Sequence, residues 1–208
     1  MPPKQNQDGE NSGDVSRETR EKLEAYHALL LKWQKAINLV SASSVGDAWE
    51  RHFNDSIQLE SHIAESTGIL ADFGSGAGFP GLVLAMLRPA LDVHLVESDA
   101  RKCEFLRTVS RETNTPVSIH NTRIEDMDGQ IKPDMITARA LANLEKLCGY
   151  CLPFAQENPA LELLFMKGEK ADVEIEEARQ KFAFDIDQFP SQTGAAGSLL
   201  RLRNLRIL

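Results

Sequence analysis

The stretch ADFGSGAGFPG, residues 71–81, holds four glycines in its last eight residues and directly follows the apolar residues Ile69 and Leu70. Glycine loses more conformational entropy on folding than any other residue. A cluster of glycines therefore indicates a place where the backbone passes very close to a ligand or to a neighbouring element. The elements on either side of the stretch decide between these two possibilities.

Short apolar runs alternate with helical patterns from about residue 66 onward. This alternation is typical of βαβ units, and hence of a parallel sheet covered by helices on both faces. Two final strand-like stretches are separated by only eight residues, too few for a helix, and predict an antiparallel hairpin at the edge of the sheet. The predicted strands are 69–73, 93–96, 117–119, 135–138, 161–166, 182–189 and 198–207, and the predicted helices are about 80–88, 99–113, 141–152 and 169–181.

The first 65 residues show a different pattern of apolar residues, without the alternation of strands and helices. Apolar residues recur every three or four positions over 17–37, which predicts an amphipathic helix, and a second helix is predicted over about 47–64. Residues 1–16 are polar and are predicted to be a disordered tail. We therefore expect three parts: the tail 1–16, a helical cap 17–65, and the main domain 66–208.

Composition limits the class of protein. The chain has 208 residues, 42% of them hydrophobic, and no apolar run approaches the ~18 residues of a membrane span. The N-terminus has neither a signal-peptide nor a transit-peptide pattern. Three cysteines, an odd number, favour a reducing compartment, so we expect a cytoplasmic protein. The pair Cys148 and Cys151 falls in a predicted helix and is expected to be buried there rather than redox-active.

The formal net charge of −8 does not by itself suggest a nucleic-acid-binding protein. Residues 191–208 nevertheless contain Arg201, Arg203 and Arg206 and no acid. A local basic face of this kind can bind RNA even on an acidic protein. Arg201 and Arg203 are therefore candidate RNA contacts, with ordinary solvated charges as the alternative.

The glycine stretch fits two kinds of cofactor. Asp72 precedes a G-x-G-x-G pattern, Gly74, Gly76 and Gly78, and residues 76–81 also match the dinucleotide-binding pattern G-x-G-x-x-G. NAD would place a pyrophosphate at the helix N-terminus, whereas S-adenosylmethionine has no phosphate and needs close backbone. The preceding acid, Pro80 at the helix start and the final hairpin favour S-adenosylmethionine. Asp72 and these three glycines are the predicted cofactor contacts.

The end of the second predicted strand supports a nucleoside ligand. Glu97 lies about 20 residues beyond the glycines, at the position where a carboxylate accepts hydrogen bonds from a ribose diol. A parallel sheet that ends in an antiparallel hairpin is similar to the fold of class I S-adenosylmethionine-dependent methyltransferases. That similarity implies that residues 121–126, which follow the third strand, form the loop that reaches the adenine.

Six further motifs identify a family resemblance. They are NLVSA (38–42), RHFNDSIQL (51–59), VESDARKCEFLR (96–107), TRIED (122–126), ITARAL (136–141) and MKG (166–168). Together with DFGSGAGFPG they resemble the RsmG, or GidB, family of bacterial 16S ribosomal RNA guanine-N7 methyltransferases, over roughly residues 20–208. The order and spacing of the motifs match that family.

The resemblance implies a fold and a reaction. The fold is the α/β class I S-adenosylmethionine-dependent methyltransferase fold, which is Rossmann-like, with a mostly parallel sheet, a C-terminal antiparallel hairpin and an N-terminal helical cap. The implied reaction transfers a methyl group to N7 of guanine 527 in 16S rRNA, on the small ribosomal subunit or an assembly intermediate. A monomer is expected. The family's cofactor contacts map onto Gly74, Phe79, Ile124, Glu125 and Arg139.

The chemistry of guanine N7 needs no general base, because N7 already carries a lone pair and no proton. It needs alignment and a dry pocket. Arg139, at the end of the fourth strand, is the candidate catalytic residue, and Lys167 contacts RNA phosphate or merely starts a helix. His52 and Asp55 lie three residues apart on a predicted helix, with helix packing as their expected role. The histidines show no metal-ligand spacing, so no metal is expected.

Three alternatives remain open on the residues alone. One is a NAD-dependent oxidoreductase on a Rossmann sheet. A second is a protein of methyltransferase fold that only binds RNA or a partner. A third keeps the cofactor but methylates another acceptor, such as a protein or a small molecule.

Overall fold

The computed structural model describes residues 15–127, 129–193 and 197–208. Seven strands form one sheet in the order β3-β2-β1-β4-β5-β7-β6. Strands β1 to β5 pair in parallel, whereas β7 runs antiparallel between β5 and β6. The strands are β1 Ile69–Phe73, β2 Asp92–Glu97, β3 Ser118–Asn121, β4 Met135–Arg139, β5 Glu162–Lys167, β6 Phe182–Pro190 and β7 Ser198–Ile207.

The predicted fold class is confirmed by this sheet and by the helices that cover it. A strand buried on both faces reads as a continuous apolar run, and β1 is such a strand. Leu70 joins the core on one face of the sheet, while Ala71 and Phe73 join the core on the other. The helices are α1 Arg17–Trp33, α2 Asp55–Ile57, α3 Gly81–Leu87, α4 Ala100–Glu112, α5 Leu144–Glu157 and α6 Ala171–Ala178.

The C-terminal hairpin is also confirmed, with its second strand inside the sheet. Leu200 and Leu202 of β7 are fully buried, and β7 pairs with β5 along Leu163 to Lys167. The outer strand β6 is therefore the edge of the sheet. This arrangement differs from the dinucleotide-binding order 3-2-1-4-5-6, in which no strand lies between the fifth and the sixth.

The N-terminal region differs from its prediction. Helix α1 ends at Trp33 rather than at residue 37, and the continuous helix over 47–64 is wrong. A π-helical turn, Trp49–Asn54, runs into the short α2, and a 3-10 turn, Glu60–His62, follows. The hydroxyl of Ser56 donates to the carbonyl of His52 at 2.6 Å. Such side-chain bonds to the backbone compete with regular helix geometry.

The predicted tail and domain division stay predictions. Residues 1–14 lie outside the described residues. The tail does not extend to residue 16, because Ser16 caps α1 by accepting from the amide of Thr19 at 3.1 Å. Leu23 and Tyr26 of α1 belong to the same apolar cluster as Leu70 of β1, so the cap packs directly on one face of the sheet.

The cysteines lie where the sequence predicts. Cys148 and Cys151 are both buried in α5 and both are free thiols. Burial raises the pKa of Cys148 to about 12 and raises the pKa of Cys151 well above its ordinary value. Burial therefore favours the protonated form of both thiols.

Within the described ranges, the structure holds no group of three or more His, Cys, Asp or Glu side chains placed to bind a metal ion. No helix in the same ranges is both long and apolar enough to span a bilayer.

Candidate active site

Two cavities meet where β4 ends. The small cavity has a volume of about 300 Å³ and lies over the glycine stretch, and the large cavity has a volume of about 670 Å³ and lies under the segment 41–58. Ala140 and Leu141 line both cavities. Ala140 has a φ of +52°, a left-handed conformation that is uncommon for residues other than glycine. Molecules bound in the two cavities would therefore face each other across Ala140 and Leu141.

The small cavity is built from the ends of β1, β2 and β3. Gly74 and Gly76 have φ values of +64° and +56°, which turn the chain sharply after β1. A Cβ on Gly74 would stand 2.5 Å from Cδ1 of Leu141. The backbone at residue 74 therefore packs so closely on the Leu141 side chain that only glycine fits. The residues that line this cavity are Gly74, Gly76, Val96, Glu97, Ser98, Lys102, Thr122, Arg123, Ile124, Glu125, Ala140, Leu141 and Tyr150.

Glu97 is held rigidly at the end of β2. Its Oε2 accepts from the amide of Gly76 at 2.9 Å, and its Oε1 accepts from the amide of Asp99 at 2.7 Å. Each carboxylate oxygen has a second lone pair, so the group can still accept from a ligand hydroxyl. The side chain ties the glycine turn to β2 and presents an acceptor in the small cavity at the same time.

The predicted cofactor contacts fall into two groups. Five of them line the small cavity: Gly74, Gly76, Glu97, Ile124 and Glu125. Four of them do not line it: Asp72, Gly78, Phe79 and Arg139. The contact of each residue with a cofactor stays a prediction, but the structure gives the second group clear packing partners of its own.

Asp72 supports the glycine stretch from inside the sheet. Its carboxylate is fully buried, with Oδ1 accepting from Oγ1 of Thr137 at 2.9 Å and Oδ2 accepting from the amide of Gly81 at 3.3 Å. Burial raises its pKa to about 6, although these hydrogen bonds oppose the shift. A Cβ on Gly81 would lie 2.8 Å from Cβ of Asp72, so only glycine fits at the start of α3.

Gly78 and Phe79 pack against the N-terminal cap. A Cβ on Gly78 would stand 2.7 Å from the hydroxyl of Tyr26, and that hydroxyl donates to the carbonyl of Ala77. The Phe79 ring stacks on Tyr26 with centroids 5.1 Å apart and on His52 with centroids 5.2 Å apart. Helix α1 and the segment 49–54 therefore hold the second half of the glycine stretch.

Arg139 reaches into the large cavity and is held there by the cap. Its Nη1 donates to the carbonyl of Arg51 at 3.0 Å and to Nδ1 of His52 at 2.8 Å, while Oδ2 of Asp55 lies 3.5 Å away. The guanidinium carbon sits 5.2 Å from the centre of the Phe79 ring. Burial lowers the pKa of Arg139, and the carboxylate of Asp55 opposes that shift. A guanidinium stays charged in proteins, so the site holds a fixed cation.

Asp55 also connects the cavity wall to the β6–β7 hairpin. Its Oδ1 accepts from the hydroxyl of Thr193 at 2.6 Å and from Nε2 of Gln58 at 2.8 Å. The Gln58 carbonyl oxygen in turn accepts from the amide of Gln192 at 2.9 Å. The motif RHFNDS thus joins the end of β4 to the end of β6 around one side of the large cavity.

The three predicted RNA contacts have intramolecular partners. Lys167 Nζ donates to the carbonyl of Ala142 at 2.7 Å and lies 2.5 Å from Glu174. The other two are on β7: Arg201 donates to the carbonyl of His62 and lies 3.7 Å from Glu162, and Arg203 lies 2.7 Å from Asp187. Lys167 lines the large cavity, whereas neither of these two arginines does. Contact with RNA stays a prediction for all three.

Several site residues escape the sequence reasoning. Leu141 is the last residue of ITARAL and is given no role there, because it has no polar atom to mark it, yet it divides the two cavities. Arg51 begins the motif RHFNDS, and its carbonyl binds Arg139. Tyr150 comes from α5, far from every recognised motif. The motifs RHFNDS, ITARAL and MKG all contribute to the large cavity, but the roles of the RHFNDS side chains depend on where the cap packs.

Similar proteins carry the same architecture. The chain resembles the O-methyltransferase TomG of Streptomyces achromogenes, solved with S-adenosylmethionine, at a TM-score of 0.57 and 14% identity over 88% of this chain and 90% of that one. It resembles the glycopeptide N-methyltransferase MtfA, also solved with S-adenosylmethionine, at a TM-score of 0.60 and 8% identity over 73% and 93% of the two chains. The fold is the class I fold of S-adenosylmethionine-dependent methyltransferases.

Sequence relatives narrow the class. The family model described as rRNA small subunit methyltransferase G, GidB, matches residues 19–197. The chain is 46% identical over 196 residues to ribosomal RNA small subunit methyltransferase G of Parvibaculum lavamentivorans, covering 92% of this chain and 86% of the relative. It is 48% identical over 191 residues to the protein of that name from Rhodospirillum centenum, covering 92% and 87%. The chain belongs to the rRNA small subunit methyltransferase G family.

Membership of this family decides between S-adenosylmethionine and NAD, the two cofactors that the glycine motif left open. The chain is an S-adenosylmethionine-dependent methyltransferase, and the NAD-dependent oxidoreductase reading is wrong. The strand order agrees, because β7 lies between β5 and β6. The family resemblance expected from the seven motifs is confirmed.

Proposed function

We propose that this protein transfers the methyl group of S-adenosylmethionine to N7 of a single guanine in 16S rRNA, at guanine 527 in standard rRNA numbering. The observation that carries the proposal is the meeting of the two cavities at Ala140 and Leu141. A cofactor in the small cavity and a base in the large cavity would lie on the two sides of this divide, with the transferred methyl group between them. The family to which the chain belongs supports the rRNA of the small subunit as the acceptor.

The residues of the small cavity fit the cofactor. The Glu97 carboxylate offers acceptors to a ribose diol, and the apolar side chain of Ile124 offers a surface for an adenine ring. Gly74 and Gly76 leave backbone exposed for close approach of the amino-acid part. S-adenosylmethionine supplies an electrophilic methyl group when bound. Asp72, Gly78 and Phe79 support the turn from behind, and Glu125 completes the rim.

The large cavity fits an acceptor that needs no deprotonation. Guanine N7 is a lone-pair nucleophile, so the residues have to align it and exclude water rather than remove a proton. Among the described residues, His52 is the only histidine that lines the large cavity, and its Nδ1 is already engaged by Arg139. The two carboxylates that line it are also paired, Asp55 with Arg139 and Glu174 with Lys167. The cavity is therefore built for alignment rather than for base catalysis.

Arg139 is the proposed catalytic residue. Its Nη1 is anchored by the cap, and the rest of the guanidinium faces the large cavity. A fixed guanidinium there can donate to the base, to a neighbouring phosphate or to the cofactor carboxylate. The pair with Asp55 balances its charge, which matters because methyl transfer moves positive charge from sulfur onto the guanine.

The partner is proposed to be 16S rRNA within the small ribosomal subunit or one of its assembly intermediates. Lys167, Arg201 and Arg203 are retained as proposed RNA contacts. Each of these cations already pairs with an acidic side chain of the protein. We therefore expect each to contribute less to RNA affinity than an unpaired cation would. We further propose that the protein acts as a monomer in the cytoplasm.

The decisive experiment measures methyl transfer from radiolabelled S-adenosylmethionine to small subunits and to purified rRNA, both taken from cells lacking this enzyme. Label on one guanine, identified as 7-methylguanine after nuclease digestion, is the expected result. Label on protein, or on another base, would contradict the proposed acceptor. No label together with thermal stabilisation by S-adenosylhomocysteine would keep the cofactor and reject the acceptor.

The variant Arg139→Ala tests the role of the guanidinium in the same assay. It is expected to fold and, because Arg139 does not line the small cavity, to lose less than about tenfold in affinity for S-adenosylhomocysteine. A larger loss would assign the guanidinium to the cofactor carboxylate instead. Its turnover is expected to fall by at least about 100-fold, the order expected when a transition-state contact is lost. Wild-type turnover in this variant would remove Arg139 from the catalytic machinery.

A further inference from the structure

The orientation of the Arg139 guanidinium is set from one side by the segment 49–57. Both hydrogen bonds use the same nitrogen, Nη1, which donates to the Arg51 carbonyl and to Nδ1 of His52. Among the described residues, Nε and Nη2 of Arg139 make no hydrogen bond. Two acceptors on one nitrogen fix the plane of the group and leave Nε and Nη2 available to a ligand, on a side chain that lines the large cavity.

We propose that His52 is a positioning residue, whose Nδ1 holds the Arg139 guanidinium in the orientation that methyl transfer requires. The proposal rests on the catalytic role given to Arg139 above. It goes beyond the packing role that the sequence suggested for His52. A side chain that only filled space beside Phe79 would need no particular tautomer and no acceptor.

The tautomer of His52 is decided by its neighbours. A guanidinium has donors only, so Nδ1 must accept the hydrogen bond from Arg139. The proton of the neutral ring is then on Nε2, which lies 2.9 Å from Oγ of Ser44 and donates to it. The Ser44 hydroxyl in turn donates a hydrogen bond to the carbonyl of Ser41 at 2.9 Å. Ser44 is 3% exposed and His52 is 9% exposed, so the hydrogen bond between their side chains is buried.

The charge of the site also requires a neutral His52. Burial, together with the cations of Arg139 and Arg51, lowers its pKa to about 4, against a smaller opposing effect of the Arg51 carbonyl. A protonated ring would lose the acceptor that Arg139 uses. It would also add a second positive charge beside a base that becomes cationic as it is methylated. Geometry and charge therefore point to the same role.

Two substitutions at His52 separate positioning from packing. His52→Leu keeps the size of the side chain and its contact with Phe79 but removes the acceptor, whereas His52→Gln retains a carbonyl oxygen that can accept. We expect kcat to fall about 10- to 100-fold in H52L, the cost of a misplaced catalytic group, and less than about 10-fold in H52Q. The KM for S-adenosylmethionine should stay within about threefold in both, because His52 does not line the small cavity.

Non-additivity is the second readout. If His52 acts through Arg139, the double variant R139A/H52L should be no slower than R139A alone, within about twofold. Losses that multiply, or equal losses in H52Q and H52L, would overturn the positioning role while leaving the proposed function intact. Wild-type turnover in R139A would instead overturn the role of Arg139, and the positioning role would fall with it.

A third variant keeps the test independent of how well a change at His52 folds. Ser44→Ala removes the partner of Nε2 and lets the other tautomer compete, in which Nδ1 carries the proton and cannot accept. A fall in kcat of about 2- to 10-fold is expected, and it should disappear in the R139A background. Ser43→Ala, at an exposed neighbouring position, is the matched control and should leave kcat unchanged. Equal rates for S44A and the wild type would count against the proposal.

Discussion

A methyl carbon of Leu141 lies 2.5 Å from the point where a Cβ on Gly74 would stand. The two residues belong to different strand ends, β1 and β4, and they meet at the divide between the small and the large cavity. Gly74 also has a φ of +64°. The position therefore excludes a side chain for two independent reasons, one of them local and the other a contact across 67 positions of the chain.

Gly74→Ala is predicted to weaken both the fold and the cofactor site. A left-handed conformation costs an alanine roughly 1–2 kcal/mol, and Leu141 must also move to avoid the new methyl group. We expect the melting temperature to fall by roughly 3–6 °C and the affinity for S-adenosylhomocysteine to fall at least about tenfold. Differential scanning calorimetry and isothermal titration measure the two effects.

The matched control is Gly149→Ala, in the exposed middle of α5. A Cβ there meets nothing within 4 Å, and the change should stabilise the helix by roughly 0.5–1 kcal/mol. Its affinity for S-adenosylhomocysteine should stay at the wild-type value. Equal behaviour of the two glycine variants would show that the space beside Leu141 is not limiting.

Tyr26→Phe is predicted to loosen the glycine stretch from the cap side. The variant keeps the stacking with Phe79 but leaves the carbonyl of Ala77 without the hydroxyl that donates to it. An unsatisfied buried acceptor costs about 1–3 kcal/mol, so the melting temperature should fall by roughly 2–8 °C. Thermal unfolding with and without S-adenosylhomocysteine is the measurement.

Tyr150→Phe supplies the comparison, since these are the two tyrosines of the chain. Tyr150 is half-buried, and among the described residues its hydroxyl makes no hydrogen bond. Its loss should change the melting temperature of the free protein by less than about 1 °C. If Y26F were as stable as Y150F, the hydrogen bond from Tyr26 to the glycine stretch would not contribute to the stability of the protein.

The stability of the protein should change with pH because the Asp72 carboxyl titrates at a different pH in the folded and the unfolded states. Its pKa is raised by burial to about 6 in the folded protein and lies near 3.8 in the unfolded chain. Between these values the folded state holds a proton that the unfolded state has released. The protonated Asp72 carboxyl therefore makes its full contribution to the free energy of unfolding below about pH 4, and this contribution is lost as the pH rises through 6. A shift of about two pKa units corresponds to a free energy on the order of 3 kcal/mol.

Asp72→Asn removes this titration and keeps the hydrogen bonds. The amide oxygen can accept from Gly81, and Thr137 can turn to accept from the amide nitrogen. The free energy of unfolding of the wild type, minus that of D72N, should therefore fall from pH 4 to pH 7. Urea titrations across this range give both values. A difference that does not change with pH would mean that Asp72 stays ionised throughout.

Much of this architecture follows from local patterns. The apolar run 69–73 predicts β1, and an acid at the end of β2 predicts where Glu97 lies, because parallel strands bring their carboxyl ends to one edge. These inferences need only neighbouring residues and the period of the pattern. They locate the small cavity, where five of the nine predicted cofactor contacts lie.

The large cavity depends on contacts that local patterns do not contain. His52 meets Arg139 across 87 positions, and this pairing exists only because the cap packs on the glycine stretch through Tyr26. The segment 49–57 also departs from a regular helix, so helical spacing could not place its side chains. Arg201 and Arg203 looked available in the sequence, because the acids that pair with them lie on other strands.

Arg51→Ala is predicted to weaken RNA binding without touching the chemistry. The Arg51 side chain is exposed at the large cavity and, within the described residues, no carboxylate lies within 4 Å of it. Only its carbonyl serves Arg139, and the substitution keeps that carbonyl. We expect RNA affinity to fall about 5- to 10-fold at 0.1 M salt, and the slope of log affinity against log salt to become shallower by about one.

Arg17→Ala is the control for Arg51, since Arg17 is equally exposed but forms a 2.9 Å ion pair with Glu21 at the start of α1. It should leave both the affinity and the salt slope unchanged. The same measurement on the triple variant R201A/R203A/R206A tests the proposed contacts on β7, which should have a smaller effect per charge because Glu162 and Asp187 already compete for two of them. If R51A bound RNA as the wild type does while the triple variant did not, the RNA would approach from the β7 side, and the large cavity would have to be entered from there.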